Sequence, residues 1–201
     1  LQAGLYTSPH LENVEERIRV DGREITSADL GGLLREVTSA ARGIGHPSPT
    51  YFEAMTLSAL LHFARRKVDL AVLEVGMGGR LDATNLVDAR LAVITAIALD
   101  HQEWLGPTVD AIAREKAGVL RAGCPVVLSP QTPEALAALL EEAAGRGAPV
   151  RRVTGEVTRP APLWIPRGRM SLAEALSEAG GVNPLSAAAG SRMPLTGYNC
   201  S

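Results

Sequence analysis

The 201-residue sequence contains little cysteine, few aromatic residues and no excess of either charge. Its two cysteines, Cys124 and Cys200, cannot form the disulfide framework typical of small secreted proteins, so we predict a cytoplasmic protein. Aromatic residues make up 3% of the chain, so the core must be built mainly from Leu, Val, Ile and Ala. The 20 basic and 22 acidic residues give a formal net charge of -2. This balance argues against a nucleic-acid-binding protein, which usually carries a clear basic excess.

Long hydrophobic runs are also missing. The longest, residues 91–99, is less than half of the roughly 20 apolar residues that a helix needs to cross a membrane, and no signal peptide opens the chain. The sequence therefore predicts no membrane association. The chain begins with Leu1 rather than Met, and its first residues resemble the interior of a longer protein, so we expect a fragment.

Two short apolar runs predict the centre of the fold. Residues 69–75 and 91–99 are rich in β-branched side chains without polar alternation, which is typical of strands buried on both faces of a parallel sheet. Further strands are predicted at residues 125–128 and 149–153, and a hairpin around Asp21-Gly22 at residues 17–25. Predicted helices lie at residues 26–42, 50–67, 108–120 and 132–144. This order of elements indicates a three-layer α/β fold with a mostly parallel sheet flanked by helices.

The first candidate site follows the first of these strands. Glu74 precedes the glycine-rich segment 76–79, in a long connection where no helix is predicted. Loops at the carboxyl ends of parallel strands bind ligands in α/β proteins, and a carboxylate there is a common metal ligand. A solvated Glu in an ordinary connection is the alternative. The glycines do not form a dinucleotide-binding fingerprint, because Leu81 takes the place of the third glycine of GxGxxG and no helix begins there.

The second candidate site follows the next strand, where Asp100 and His101 lie. A His at this place suits a metal or phosphate contact, although an isolated His is more often a packed or exposed residue. Ser8 offers a hydroxyl to Mg²⁺, but its own surroundings favour a turn with Pro9. Lys116 lies on a predicted helix, where a lysine is ordinarily solvated. The residues without a partner at metal-ligand spacing, which we expect to be structural, are His46, His62 and Cys124.

Several segments, taken in order, resemble one family. They are Tyr-Thr-Ser-Pro-His at 6–10, Glu-Arg-Ile-Arg-Val at 16–20, Thr-Tyr-Phe-Glu at 50–53, DLAVLEVGMGGRLDATN at 69–85, LDHQEWLG at 99–106 and IAREKAG at 112–118. With this order and spacing, roughly residues 4–150 resemble the folylpolyglutamate synthases, often bifunctional with dihydrofolate synthase, within the Mur ligase superfamily. The resemblance implies the fold of the Mur ligase central domain, which is similar to that of the P-loop NTPases.

The family joins an amine to a carboxylate with ATP. The resemblance implies that a folate or dihydropteroate carboxylate takes the γ-phosphoryl group of ATP, and that L-glutamate attacks the resulting acyl phosphate. Cations must hold the charge of the transferring group. By resemblance, Ser8, Glu74 and His101 bind Mg²⁺ beside ATP. Lys116 matches the family lysine that CO₂ carbamylates into an oxygen donor and a further metal ligand, which makes Lys116 and His101 the implied catalytic residues.

The same resemblance implies two segments that hold the pterin end of the substrate. Their residues are Thr50, Tyr51, Phe52, Glu53, Leu81, Asp82 and Ala83. Phe52 offers a ring for stacking and Asp82 an acceptor for pterin N–H groups, although Phe52 also falls on the predicted core face of its helix. The complete enzyme is expected to be a monomer that binds ATP, L-glutamate and folate or dihydropteroate, but neither nucleic acid nor a membrane.

The sequence also departs from the family pattern. It contains no G-x-x-x-x-G-K-[ST] motif, which the family carries before the 6–10 segment, and the resemblance ends at about Arg159. We therefore expect residues 1–155 to be a partial ATP-binding central domain, residues 156–201 to be a divergent, poorly ordered tail, and the chain alone to be inactive. Two alternatives remain open: a folate-binding remnant without catalysis, and a related ligase that makes peptidoglycan precursors.

Overall fold

The computed structural model describes residues 1–45 and 47–152, whose strands form two sheets. The strands span Ala3–Tyr6 (β1), Ile18–Val20 (β2), Arg23–Glu24 (β3), Leu70–Leu73 (β4), Ala92–Ile94 (β5), Val126–Leu128 (β6) and Val150–Arg152 (β7). The α-helices span Ser27–Gly43 (α1), Tyr51–Arg66 (α2), Gln102–Leu105 (α3), Val109–Lys116 (α4) and Pro133–Arg146 (α5). Parallel strand pairs flanked by helices confirm the predicted α/β class.

The first sheet has the order β3-β2-β1-β4 and is built around β1. β1 pairs in parallel with β4 and antiparallel with β2. The predicted hairpin is confirmed, since Asp21 and Gly22 between β2 and β3 have φ angles of 51° and 76°, the left-handed values that a tight hairpin turn needs. Helices α1 and α2 cover this sheet. Met55, Ala59 and Phe63 of α2 are buried in its core, which confirms the predicted apolar face of that helix.

The second sheet is wholly parallel, with β6 between β5 and β7. Helix α4 connects β5 to β6 and α5 connects β6 to β7, and both pack on the sheet. Each helix begins at a threonine N-cap, because Oγ1 of Thr108 and of Thr132 accepts a hydrogen bond from the amide three residues further on. The buried residues that these two helices supply to the core are Ile112, Ala113, Ala135, Ala138, Leu139 and Ala143.

The predicted burial of the two main strands is wrong. β4 and β5 each pair along one edge only with the strands of residues 1–45 and 47–152. Val72 in β4 is 52% exposed and Val93 in β5 is 62% exposed. The runs have the apolar composition of central strands, but an edge strand keeps part of its surface in solvent. Composition therefore predicted these strands without predicting their place in the sheets.

The predicted strand at residues 91–99 also ends early, at Ile94. Beyond it, the amide of Ile97 donates to Oε1 of Gln131 (3.0 Å), and Nε2 of Gln131 donates to the carbonyl of Thr95 (2.8 Å). A side-chain amide thus satisfies the backbone groups that a strand ladder would otherwise pair. As a result, Asp100 and His101 lie six and seven residues beyond the strand and not directly at its end.

No helix in the two described ranges is long and apolar enough to cross a membrane. The predicted boundary at 155/156, the predicted tail, His46 and Cys200 lie outside the described residues. The predictions made for them stay predictions.

Candidate active site

The carboxyl ends of β1 and β4 lie side by side and bring Ser8 and Glu74 together. Tyr6 pairs with Leu73 in this parallel register, so the residues that follow both strands emerge at the same edge of the sheet. The amide of Glu74 donates to the carbonyl of Tyr6 (2.9 Å). The amide of Ser8 donates to Oε2 of Glu74 (2.9 Å). Two of the four residues predicted to bind metal are therefore neighbours, and Glu74 is exposed.

Asp82 organises the loop of residues 76–86 that follows Glu74. Its Oδ2 accepts hydrogen bonds from the amides of Gly76 and Met77 (both 3.0 Å). Its Oδ1 accepts from the amide and the hydroxyl of Thr84 (2.9 and 2.6 Å), where a short 3₁₀ turn begins. A carboxylate has about four lone-pair sites, so these bonds occupy it fully. A direct contact between Asp82 and a pterin ring would have to displace one of them.

The other predicted substrate segment forms the beginning of helix α2. Thr50 and Glu53 form a capping box, in which Oε2 of Glu53 accepts from the amide of Thr50 (2.7 Å) and Oγ1 of Thr50 accepts from the amide of Glu53 (3.3 Å). The S/T-x-x-E spacing is a sequence signal of such a box. The Phe52 ring lies against Gly76, leaving no room for a side chain there, and its centroid is 6.0 Å from that of Tyr6. Phe52 thus supports the start of the loop and is partly buried.

The loop packs directly against the end of helix α4, where Lys116 lies. A side chain on Gly79 would come within 2.7 Å of the Lys116 carbonyl oxygen, and one on Gly118 would overlap with Arg80. The amide of Arg80 donates to the carbonyl of Glu115 (3.2 Å), and its guanidinium forms an ion pair with the Glu115 carboxylate (3.1 Å). The backbone of Lys116 is therefore in contact with the segment that begins just after Glu74.

The Lys116 amine has no hydrogen-bond or ion-pair partner among residues 1–45 and 47–152. Its side chain is partly exposed. Carbamylation adds a carboxylate to Nζ, and no ion pair with a described residue already occupies that atom. The predicted modification of Lys116 thus meets no obstacle in its surroundings.

Within the described residues, His101 makes no hydrogen bond or ion pair with Ser8, Glu74 or Lys116, although Leu105 of the short helix that it opens lies against Gly78 of the loop. It has a positive φ of 49°, and its carbonyl accepts the amides that open helix α3. Its side-chain partner is Asp100, with Nε2 3.6 Å from Oδ2. No group of three His, Cys, Asp or Glu side chains within the described ranges could hold a metal ion. A divalent metal at the strand ends would therefore need donors beyond a ready cluster of such side chains, among them the Ser8 hydroxyl, water and the ligand's own oxygens.

Sequence reasoning missed Arg17. It is buried, 7% exposed, and its Nε donates to Nδ1 of His10 (2.8 Å). Its guanidinium carbon lies 5.5 Å from the Tyr51 ring centroid, within the range of a cation–π contact. Arg17 thus links the segment after Ser8 to the start of α2. The strand pattern around it gives no signal, because both partners come from other elements.

His62 and Cys124 are buried in the described structure, as expected of structural residues. Burial lowers the pKa of His62, and the nearby Arg66 lowers it further. Burial raises the pKa of the Cys124 thiol. Neither group lies in the loop contacts around Glu74 and Lys116.

These features define an α/β domain with a candidate ligand-binding edge at the carboxyl ends of parallel strands, where the Ser8–Glu74 pair lies beside a glycine-rich loop. The chain belongs to the Mur ligase middle domain family, whose model matches residues 25–145. A separate match, to the SLBB domain, covers residues 150–196, which are mostly outside the described structure.

Curated and solved relatives agree with this family. The chain is 47% identical over 142 residues to the dihydrofolate synthase/folylpolyglutamate synthase of Escherichia coli K12, covering 70% of this chain and 33% of that protein. It resembles an AMPPCP–folate complex of a folylpolyglutamate synthase with a TM-score of 0.71 and 38% identity, covering 76% of this chain and 38% of that one.

A third relative is a bifunctional folylpolyglutamate synthase/dihydrofolate synthase with Mn, AMPPNP and L-glutamate bound. Its TM-score is 0.68 at 46% identity, and the match covers 76% of this chain and 36% of that one. The chain therefore spans about a third of the length of these three relatives.

Proposed function

We propose that this chain supplies part of the ATP-binding central domain of a ligase that adds L-glutamate to folates, and to dihydropteroate, through an acyl phosphate. We assign residues 1–155 to that domain and place the protein in the cytoplasm. The observation that carries the proposal is the Ser8–Glu74 pair beside the loop that docks on Lys116. The relatives with nucleotide analogues, folate and L-glutamate bound support the substrates.

The side chains at the strand ends fit a magnesium ion. The backbone amide of Ser8 donates to the Glu74 carboxylate, so two residues that carry hard oxygen donors are neighbours. Mg²⁺ in nucleotide sites usually takes one or two protein oxygens, with phosphate and water oxygens completing its coordination. When bound, the ion would neutralise charge on the ATP phosphates. Ser8 and Glu74 would hold it, and in this proposal Lys116 as its carbamate would add an oxygen donor and His101 would add a nitrogen.

The protein's own groups have separate tasks in the reaction. The loop of residues 76–86 and the start of α2, with Thr50, Phe52 and Asp82, would hold the pterin end and so direct the substrate carboxylate toward the γ-phosphate. Holding the reacting groups in line supplies much of the catalysis in phosphoryl transfer. The L-glutamate amine then displaces phosphate from the acyl phosphate and loses a proton as the amide bond forms.

A graft into a complete relative tests the proposal. Residues 4–150 replace the corresponding segment of the E. coli relative, and ATP-dependent incorporation of labelled L-glutamate into dihydropteroate and folate is measured. We expect the graft to be active, and Glu74→Gln to lower kcat by about 100-fold or more, since it removes a charged group that holds the cation. A folded graft that binds ATP but transfers no glutamate would contradict the proposal.

The two lysines of the sequence provide a matched test of the carbamate. Lys116 is the proposed site and Lys67, exposed at the end of α2, is the control. With ¹³C-labelled bicarbonate, we expect a carbamate resonance that Lys116→Arg removes and Lys67→Arg leaves in place. A resonance that persists in Lys116→Arg would exclude Lys116 from this role.

A further inference from the structure

The side chain of Asn85 connects two segments that lie more than 30 residues apart. Its Nδ2 donates to the carbonyl of Arg80 (3.0 Å), within the loop of residues 76–86, and to the carbonyl of Gly118 (3.2 Å), just beyond α4. Both amide protons are thereby used. The bond to Gly118 joins the loop to the segment that carries Lys116.

Arg121 completes this connection from the other side. Its Nη2 donates to the carbonyl oxygen and to Oδ1 of Asn85 (2.8 and 2.7 Å). Its Nη1 donates to the carbonyl of Gly118 (3.1 Å), which therefore accepts from both side chains. The planar guanidinium presents its donors in a fixed fork, so one side chain can fix two backbone carbonyls and one carboxamide at once.

The remaining contacts between the loop and α4 do not fix the loop equally well. One backbone hydrogen bond, from the Arg80 amide to the Glu115 carbonyl, also joins them, and Gly79 and Gly118 allow close backbone approach without adding a directional bond. The Arg80–Glu115 ion pair has an exposed arginine, and exposed pairs contribute little. Asn85 and Arg121 are both partly buried, where hydrogen bonds are more directional and costly to lose.

We propose that Asn85 and Arg121 form a clamp that positions the Asp82 loop against the helix end bearing Lys116. Under the proposed function, on which this inference rests, the clamp sets the distance between the substrate held by the loop and the metal-binding group on Lys116. Asn85 and Arg121 are then positioning residues, since they act through Asp82 and Lys116.

Amide hydrogen exchange of the whole chain tests the clamp without any activity. The Arg80 amide reports docking, because its acceptor is the Glu115 carbonyl in α4. The Thr84 amide reports the fold of the loop itself, because its acceptor is Asp82. In Arg121→Lys and in Asn85→Asp we expect Arg80 exchange to become about tenfold faster, the effect of losing about one hydrogen bond, with Thr84 exchange unchanged.

The choice of variants separates the clamp from simple packing or charge. Arg121→Lys keeps the positive charge and the aliphatic stem but loses the fork, so rescue by lysine would show that the fork is not needed. Asn85→Asp keeps an acceptor for Arg121 but loses both donors. The matched control is Arg65→Lys in α2, because Nη2 of Arg65 donates to both carboxylate oxygens of Glu36 in α1, an arginine contact away from the loop. Exchange of both reporter amides should be unchanged in this control.

Kinetics of the grafted enzyme test the positioning. We expect both clamp variants to lower kcat by about tenfold, while KM for dihydropteroate stays within about twofold, because misplacement of bound groups slows the reaction more than it weakens binding. Unchanged Arg80 exchange, or faster Arg80 exchange with unchanged kcat, would overturn the inference while leaving an active graft as support for the proposed function. An inactive wild-type graft would instead refute the proposed function, and with it the positioning role.

Discussion

The carboxylate of Asp82 accepts four hydrogen bonds from three residues of its own loop, Gly76, Met77 and Thr84. Thr84 is 4% exposed, so its bonds are shielded from water and are costly to break. At the scale of single residues, Asp82 is therefore first a structural group. Any contact with substrate would depend on the loop shape that this carboxylate imposes.

Asp82→Asn should destabilise the chain although it preserves the shape of the side chain. One of the two carboxylate oxygens becomes an NH₂ group, which cannot accept a hydrogen bond. The donors that it faced, either the Gly76 and Met77 amides or the amide and hydroxyl of Thr84, then lose their acceptor. We expect the free energy of unfolding to fall by about 1–3 kcal/mol, as measured by urea denaturation. Asp88→Asn, an exposed change just beyond the same loop, is the control and should have no effect of this size.

Glu16 should make stability depend on pH at the acid end. The amides of Asn13, Leu11 and Glu12 donate to its carboxylate and lower its pKa from 4.5 to about 2. A carboxyl with a lowered pKa in the folded state contributes stability above its unfolded pKa, and this contribution is lost as the pH falls from 4.5 toward 2. Wild type should thus be more stable than Glu16→Gln at neutral pH.

The stability difference between these two proteins should shrink as the pH falls through that range, measured by urea denaturation at several pH values. Glu12→Gln is the control within the same turn, because the Glu12 backbone amide and not its side chain takes part. A difference that is constant from neutral to acid pH would refute the role of the Glu16 carboxylate.

At the scale of elements, local signals predicted the fold well where they act within a few residues. The Asp21-Gly22 turn and the helices α1, α2 and α5 are close to their predicted positions. The predicted helix 108–120 instead ends as α4 at Lys116 and continues as a 3₁₀ turn at Ala117–Val119. Gly118 in that turn lies directly against Arg80, a tertiary contact that local sequence signals do not show.

Gly118→Ala should therefore disrupt the docking of the loop on α4. The added methyl group would overlap with the Arg80 backbone and Cβ, so one segment must move. Overpacking of this kind costs about 1–3 kcal/mol. The matched control is Gly145→Ala in α5, where no atom lies near the new methyl group. There the higher helix propensity of alanine should stabilise by about 0.5–1 kcal/mol.

Urea denaturation of both alanine variants tests whether the free energy of unfolding falls in Gly118→Ala and rises in Gly145→Ala. Equal effects at the two positions would mean that the loop and the helix end do not pack as described. In Gly118→Ala we also expect faster exchange of the Arg80 amide, since its bond to Glu115 spans the same contact.

The candidate site was predictable only in part, because many of its contacts join residues that are far apart in the sequence. Ser8 and Glu74 follow strands, and the rule that strand ends carry ligands places both at one edge. Asn85, Arg121 and Arg17 act through partners that are distant in sequence or on other elements, and no spacing rule connects them. The Gln131 side chain that ends β5 belongs to the same class of contact.

At the scale of the whole molecule, the described structure has two sheets with one open edge at β4 and another at β5. Both edges carry exposed apolar side chains, including Val72 and Val93. Open apolar edges offer unpaired backbone groups to other chains and promote association. We therefore expect this chain, expressed by itself, to self-associate as its concentration rises.

A charged residue on the β5 edge should reduce that association without altering the fold. Val93→Lys replaces a side chain that is already 62% exposed, so the free energy of unfolding should change by no more than about 0.5 kcal/mol. Lysine on an edge strand opposes pairing with a second chain because it must be desolvated there. Leu11→Lys is the matched control, since Leu11 is 92% exposed but lies outside the strands. Sedimentation velocity and light scattering should show less association for Val93→Lys than for Leu11→Lys. An equal reduction in both would indicate general surface hydrophobicity, and not the open edge, as the cause.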